Sequence, residues 1–89
     1  MQVFRRTMNY SVTRWVCCFD KATGELRREL RLETIPLERL QDFFDVRRDD
    51  LMYEVWDIYP RHVARLQPFV RERIDVEAYD CSLHCYRES

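Results

Sequence analysis

From Ser11 to Phe19 the chain is dominated by Val12, Thr13, Trp15, Val16 and Phe19, side chains that fit a pleated and half-buried surface. This run predicts a first strand. Asp20-Lys21-Ala22-Thr23-Gly24 then gathers turn formers, with Gly24 placed to take a positive φ. The next stretch alternates, with Leu26, Leu30 and Leu32 on one side and Glu25, Arg27, Glu29 and Arg31 on the other. Two such runs around a short glycine-containing loop predict a β-hairpin.

The period then changes. Leu37, Leu40 and Phe44 recur at i, i+3 and i+7, one face of a helix. Thr34 is placed to cap this helix and Pro36 to sit in its first turn, where a missing N–H leaves no bond unmade. Arg47-Arg48-Asp49-Asp50 interrupts the pattern, and Met52 to Ile58 predicts a third strand rich in Tyr53, Val55, Trp56 and Ile58. Pro60 opens a second helix with Val63 and Leu66 on one face, and Pro68 ends or kinks it. A fourth strand over Tyr79 to Tyr86 puts Tyr79, Cys81, Leu83 and Cys85 on one side. Asp80, Ser82, His84 and Tyr86 take the other.

The order ββαβαβ predicts an α+β fold, a two-layer sandwich of a four-stranded sheet with two helices on one face. Strand order stays open. The hairpin is antiparallel, while strands three and four, joined through a helix, are compatible with a parallel right-handed crossover. Eighty-nine residues make one domain, 1–89, with residues 1–9 irregular and Met8 an alternative start. A chain that is 46% hydrophobic and 13% aromatic, with a single glycine, can close a core without disulfides or metal. No run is long enough to span a membrane, and charges at Arg5 and Arg6 interrupt what a signal peptide would need. A cytoplasmic protein with reduced cysteines is the expectation.

Candidate chemistry changes this picture little. Cys81, His84 and Cys85 with Cys17-Cys18 superficially resemble a zinc set, but alternation on a strand turns His84 away from both cysteines and separates the vicinal pair. Zinc sites draw paired ligands from knuckle loops, so no metal and no cofactor is expected. Ser11 and Ser82 lie in strands without a nucleophile elbow, and one glycine excludes a phosphate-cradling loop. No catalytic residue is assigned. Arg5, Arg6, Arg14, Arg27, Arg28 and Arg31 with Trp15 could form a basic hairpin surface. Interleaved Glu25 and Glu29, and a net charge of −1, argue for solvation rather than nucleic acid.

The charge is polarised along the chain. Residues 1–32 carry seven basic and three acidic residues, whereas residues 33–57 carry three and eight. Asp42, Asp45, Asp49, Asp50, Glu54 and Asp57 fall among Phe43, Phe44, Tyr53 and Trp56. Phe44 belongs to the core, but the third strand has apolar residues on both faces, and one face meets solvent or a partner. Carboxylates beside Tyr and Trp suit a patch for a basic protein. Asp45, Asp49, Asp50, Glu54, Trp56 and Asp57 are the candidate partner-binding residues. The competing reading is a solvated acidic helix end and loop with Trp56 in a second small core.

Tyr10-Ser11-Val12, Phe19-Asp20-Lys21, Gly24-Glu25-Leu26 and Asp49-Asp50-Leu51-Met52-Tyr53 follow one another in a recognisable order. Leu66-Gln67-Pro68-Phe69, Ile74-Asp75-Val76 and Tyr79-Asp80 continue it. Over residues 10–86 the chain resembles an uncharacterised family of small bacterial proteins, departing from it in a longer Tyr10–Phe19 strand bearing Cys17-Cys18. Proteins of this kind resemble the immunity proteins of toxin systems, including contact-dependent growth inhibition. The resemblance implies a monomer or weak dimer that neutralises a basic toxin domain, a nuclease among the candidates, by binding it. A regulatory or homodimeric interaction domain, paired through a sheet edge or face, is the alternative.

Overall fold

The computed structural model describes residues 12–88. The readings made for residues 1–11, including the irregular start, Met8, Arg5 and Arg6, lie outside it.

The hairpin forms as its pattern predicts. β1 (Val12–Asp20) and β2 (Leu26–Arg31) pair antiparallel, with Val16 opposite Leu30 and Cys18 opposite Arg28. Between them Asp20 Oδ1 accepts the N–H groups of Ala22 (2.8 Å) and Thr23 (3.0 Å). Gly24 supplies the positive φ of 77° on which the turn closes. These two backbone donors, Thr23 first, hold the Asp20 carboxyl below its ordinary value. A bulge between Cys18 and Phe19 corrects the predicted alternation, because it sets Leu26 opposite Phe19 instead of on the side of Leu30. Leu26 is accordingly 47% exposed, whereas Leu30 and Leu32 are 2% and 5% exposed.

α1 spans Leu37–Phe43. Pro36 occupies its N-cap position, one residue earlier than expected, and Thr34 makes no capping bond; no side chain caps this end. The helix stops without glycine. Val46 N–H reaches back to the Gln41 carbonyl (2.8 Å) and Asp45 N–H to that of Asp42 (3.4 Å), with Asp45 at φ 56°. This is a Schellman closure in which Asp45 takes the left-handed position, one that short polar side chains tolerate.

β3 is only Trp56–Asp57; the expected strand over Met52–Ile58 is mostly irregular. Met52 has φ 57°, which no strand residue can adopt. α2 (Pro60–Leu66) opens on Pro60 as predicted, and a 3-10 turn at Gln67–Phe69 carries Pro68. β4 (Tyr79–Arg87) lies beside β1 through nine paired positions, from Val12 opposite Arg87 to Asp20 opposite Tyr79.

The strand order is β2-β1-β4-β3, and every pairing is antiparallel. The parallel crossover between the last two strands does not occur. The connection after β3 brings the chain back to the end of the sheet that it left, with Ile58 N–H bonded to the Cys81 carbonyl, so β4 runs antiparallel to β3. The helices cover one face of the sheet. Val16, Cys18, Leu30, Cys81 and Leu83 of the sheet pack with Leu40, Phe44 and Leu66 of the helices and with Leu32, Met52, Ile58, Val70 and Ile74 of the connections. The other face carries Trp15, Cys17, Phe19, Ser82 and His84, in register across β1 and β4.

Candidate functional site

The acidic segment between α1 and β3 is irregular yet specifically held. Its scaffold begins with Gln41, a polar residue 1% exposed at the inner side of α1. The Gln41 amide donates to the Asp50 carbonyl (2.8 Å) and the Arg48 carbonyl (3.2 Å). From the sheet, Arg14 donates through both terminal nitrogens to the carbonyls of Met52 and Leu51. Asp50 completes the turn by accepting Met52 N–H at 2.8 Å. Met52 itself is fully buried and anchors the segment in the core. Side chains here do for the backbone what a ladder does in a strand, satisfying carbonyls that burial would otherwise leave unpaired.

The predicted site residues divide over this frame. Asp49 is exposed and ion-paired to Arg47 at 3.0 Å, and Glu54 is exposed on the same stretch. A shallow depression is lined by Arg47, Asp49, Asp50, Leu51, Tyr53 and Glu54. Asp45 is exposed at the helix end, where its backbone conformation gives it a structural task. Asp50 is half-buried and spends an oxygen inside the turn, so it is part of the scaffold.

Trp56 and Asp57 leave the group. Trp56 lies opposite Leu83 on the core side and its ring meets that of Phe44 at 6.3 Å. Its indole N–H is buried and has no hydrogen-bond partner among the described residues. Trp56 is thus partly buried and packs against the core. Asp57 follows it on the strand, so it faces the opposite side of the sheet, across from Ser82. The apolar groups exposed near the carboxylates are instead Tyr53 (38%) and Val55 (58%).

Two scaffold residues escaped the sequence reading. Arg14 sits in the inward series Val12, Arg14, Val16, Cys18, and Gln41 lies four residues from Leu37 within the buried stripe. A charge or an amide at an apolar position is the signal that would have found them. Arg14 lies inward, away from the hairpin surface, and Arg27 pairs with Glu25 (3.1 Å) and Asp20 (3.6 Å). Arg31 lies over the Trp15 ring at 5.7 Å.

The remaining reactive groups are enclosed or paired. Among the described residues no group of three or more His, Cys, Asp or Glu is placed to hold a metal ion. Burial pushes the thiols of Cys17, Cys18, Cys81 and Cys85 above their ordinary value, Cys81 to about 12. That is the opposite of what a nucleophilic cysteine needs. Ser82 Oγ and His84 Nε2 lie 2.8 Å apart on the open face, a contact that i, i+2 spacing on a strand makes easy. The His84 ring meets the rings of Phe19 and Tyr86. His62 is buried against Phe44, ring centroids 4.4 Å apart, and its Nδ1 accepts the N–H of Tyr59 (2.9 Å) at the start of α2. Among the described residues no helix is long and apolar enough to cross a membrane.

Residues 13–84 match the model of a family described as a domain of unknown function, DUF7683. No curated protein and no solved structure matches the chain.

Proposed function

We propose that this chain, which belongs to the DUF7683 family, is a protein-binding module that offers a preformed acidic surface to a basic protein partner. The observation that carries the proposal is the 45–55 segment. Its exposed carboxylates, Asp45, Asp49 and Glu54, stand beside exposed Tyr53 and Val55 on a backbone fixed from beneath by Gln41, Arg14 and Met52. Between Asp42 and Asp57 six carboxylates meet two arginines, so the segment keeps a negative excess. A rigid surface loses little entropy on binding, and clustered charge speeds encounter with an oppositely charged partner. The raised thiol pKa values support binding over nucleophilic catalysis.

The finer reading is an immunity protein that neutralises a toxin domain, a nuclease among the candidates, in the cytoplasm. A nuclease site is basic because it holds phosphate, and an acidic surface of this kind would cover it or bind beside it. The test uses the product of the gene adjacent to this one, purified and titrated against the full chain by calorimetry. Saturable binding with loss of the partner's toxicity supports the reading, and no binding or unaltered toxicity removes it. A homodimeric interaction domain is the second reading, favoured by Leu26 and Tyr86, which are 47% and 44% exposed. A stable dimer in sedimentation velocity at micromolar concentration would favour it.

A further inference from the structure

β1 and β4 set Cys18 and Cys81 directly opposite each other, and the Cys81 thiol donates to Cys18 Sγ at 3.6 Å. The backbone fixes what kind of pair this is. The Arg14 carbonyl accepts Leu32 N–H, so Arg14, Val16 and Cys18 turn their backbone groups towards β2. The Cys81 carbonyl accepts Ile58 N–H, so Cys81 turns its own towards the β3 edge. Neither cysteine spends a backbone bond on the other. In such a non-hydrogen-bonded antiparallel pair the Cα atoms are about 4.5 Å apart and the side chains approach most closely. Disulfides accept Cα separations of roughly 4.4–6.8 Å, so the bond can close with little backbone movement.

The other cysteines lack this geometry. Cys17 is adjacent in sequence but points to the open face, where its sulfur meets the Tyr86 hydroxyl at 3.9 Å. Cys85 lies opposite Arg14. We propose that Cys18 and Cys81 form a dithiol modification site that closes to an intramolecular disulfide by exchange with a low-molecular-weight disulfide.

The exchange balances without a further reactant. The Cys18 thiolate attacks one sulfur of the small disulfide; a mixed disulfide forms, the small S–S bond breaks, and the departing thiolate takes up the proton Cys18 released. Cys81 then attacks the Cys18 sulfur, the protein disulfide forms, and the second small thiol leaves with the Cys81 proton. The protein loses two electrons and the small disulfide gains them. Burial raises both thiols above their ordinary value, so the attack awaits opening of the sheet, which returns the Cys18 thiol to water. Cys18 and Cys81 are 1% and 6% exposed, so exchange in the closed fold is slow and proceeds through opening of the sheet. Once formed, the bond ties the opening hairpin to the last strand and closes a loop of most of the described chain, restricting the unfolded ensemble.

The test refolds the full chain in a glutathione redox buffer, which removes the barrier of access, and maps linkages by non-reducing digestion and mass spectrometry. The expected result is Cys18–Cys81 as the dominant linkage, with Cys17 and Cys85 free to alkylate. The melting temperature should rise by on the order of 10 °C and fall back on reduction. The Cys17→Ser/Cys85→Ser variant should keep the linkage, and Cys81→Ser should lose it. A different dominant pairing, no linkage at equilibrium, or a linked form that melts lower than the reduced one would each overturn the proposal.

Discussion

The central strands and the acidic segment solve the same problem by different means. β1 and β4 satisfy their backbones through nine paired positions, and alternation alone decides which side chains go inward. The segment from Asp45 to Val55 has no such partner strand. Two of its residues, Asp45 and Met52, have positive φ, and its carbonyls are satisfied by the side chains of Gln41 and Arg14. A ladder spreads its stability over many equivalent bonds, whereas the segment concentrates it in a few named side chains. A surface of the second kind can be reshaped by single substitutions without dissolving the fold. That separation is what a recognition surface on a fixed scaffold requires.

The largest effect is expected where the ladder and the core coincide. Leu83 is 1% exposed and lies between Val16 and Trp56. Leu83→Ala should cost about 2–5 kcal/mol in chemical denaturation, lost cooperatively across the molecule. Removal of the amide in Gln41→Ala should cost about 1–3 kcal/mol, because two partly buried carbonyls lose their donor. Hydrogen exchange separates the two cases. Gln41→Ala should speed exchange through residues 46–54 while the β1 and β4 amides stay protected, and equal acceleration everywhere would erase the distinction between the regions.

Acid should act on the helical layer next. Burial, with Arg61 beside it, holds His62 below its ordinary value of 6.5. Because its folded value is depressed, the unfolded chain binds the extra proton first. The contribution is fully present above about pH 6.5 and is lost as pH falls through the lower folded value. Urea midpoints should therefore drop between pH 7 and pH 5, and His62→Gln should flatten that drop. Asp20 and Asp75, both held low by backbone N–H donors, act only nearer the ordinary carboxylate value of 3.8 and do not confuse the window. The smallest effect belongs to Asp45. Asp45→Ala should cost about 1 kcal/mol at its left-handed position, while Asp45→Gly should match or exceed the parent stability.

The comparison also explains what was legible in the sequence. Leu30, Leu32, Cys81 and Leu83 declare their side of the sheet by a period of two, and Leu40 and Phe44 by a helical spacing, so the order ββαβαβ and the two-layer fold could be read directly. Leu26 could not, because a bulge inverts its face and leaves no mark in composition. Met52 to Val55 mimics a strand by residue type, but the chain there follows side-chain-to-backbone bonds that have no period. For Trp56 the sequence leaves a surface anchor and core packing both open, because a strand with apolar residues on both sides gives no preference. In the fold it pairs with Leu83 and packs against the core while staying partly exposed. Asp50 looked like one carboxylate among six, and only its bond to Met52 N–H reveals a structural task.

The central claim is that exposed carboxylates on the fixed segment steer a basic partner, and the most direct measurement is the association rate of that partner against ionic strength. The comparison is between the parent protein and Asp49→Lys/Glu54→Lys, a variant that spares Asp50 and the scaffold. The account predicts an unchanged melting temperature, an association rate at low salt at least tenfold slower in the variant, and a parent rate that falls steeply with salt while the variant's does not. Equal rates with equal salt dependence, measured on a variant that folds normally, would contradict it.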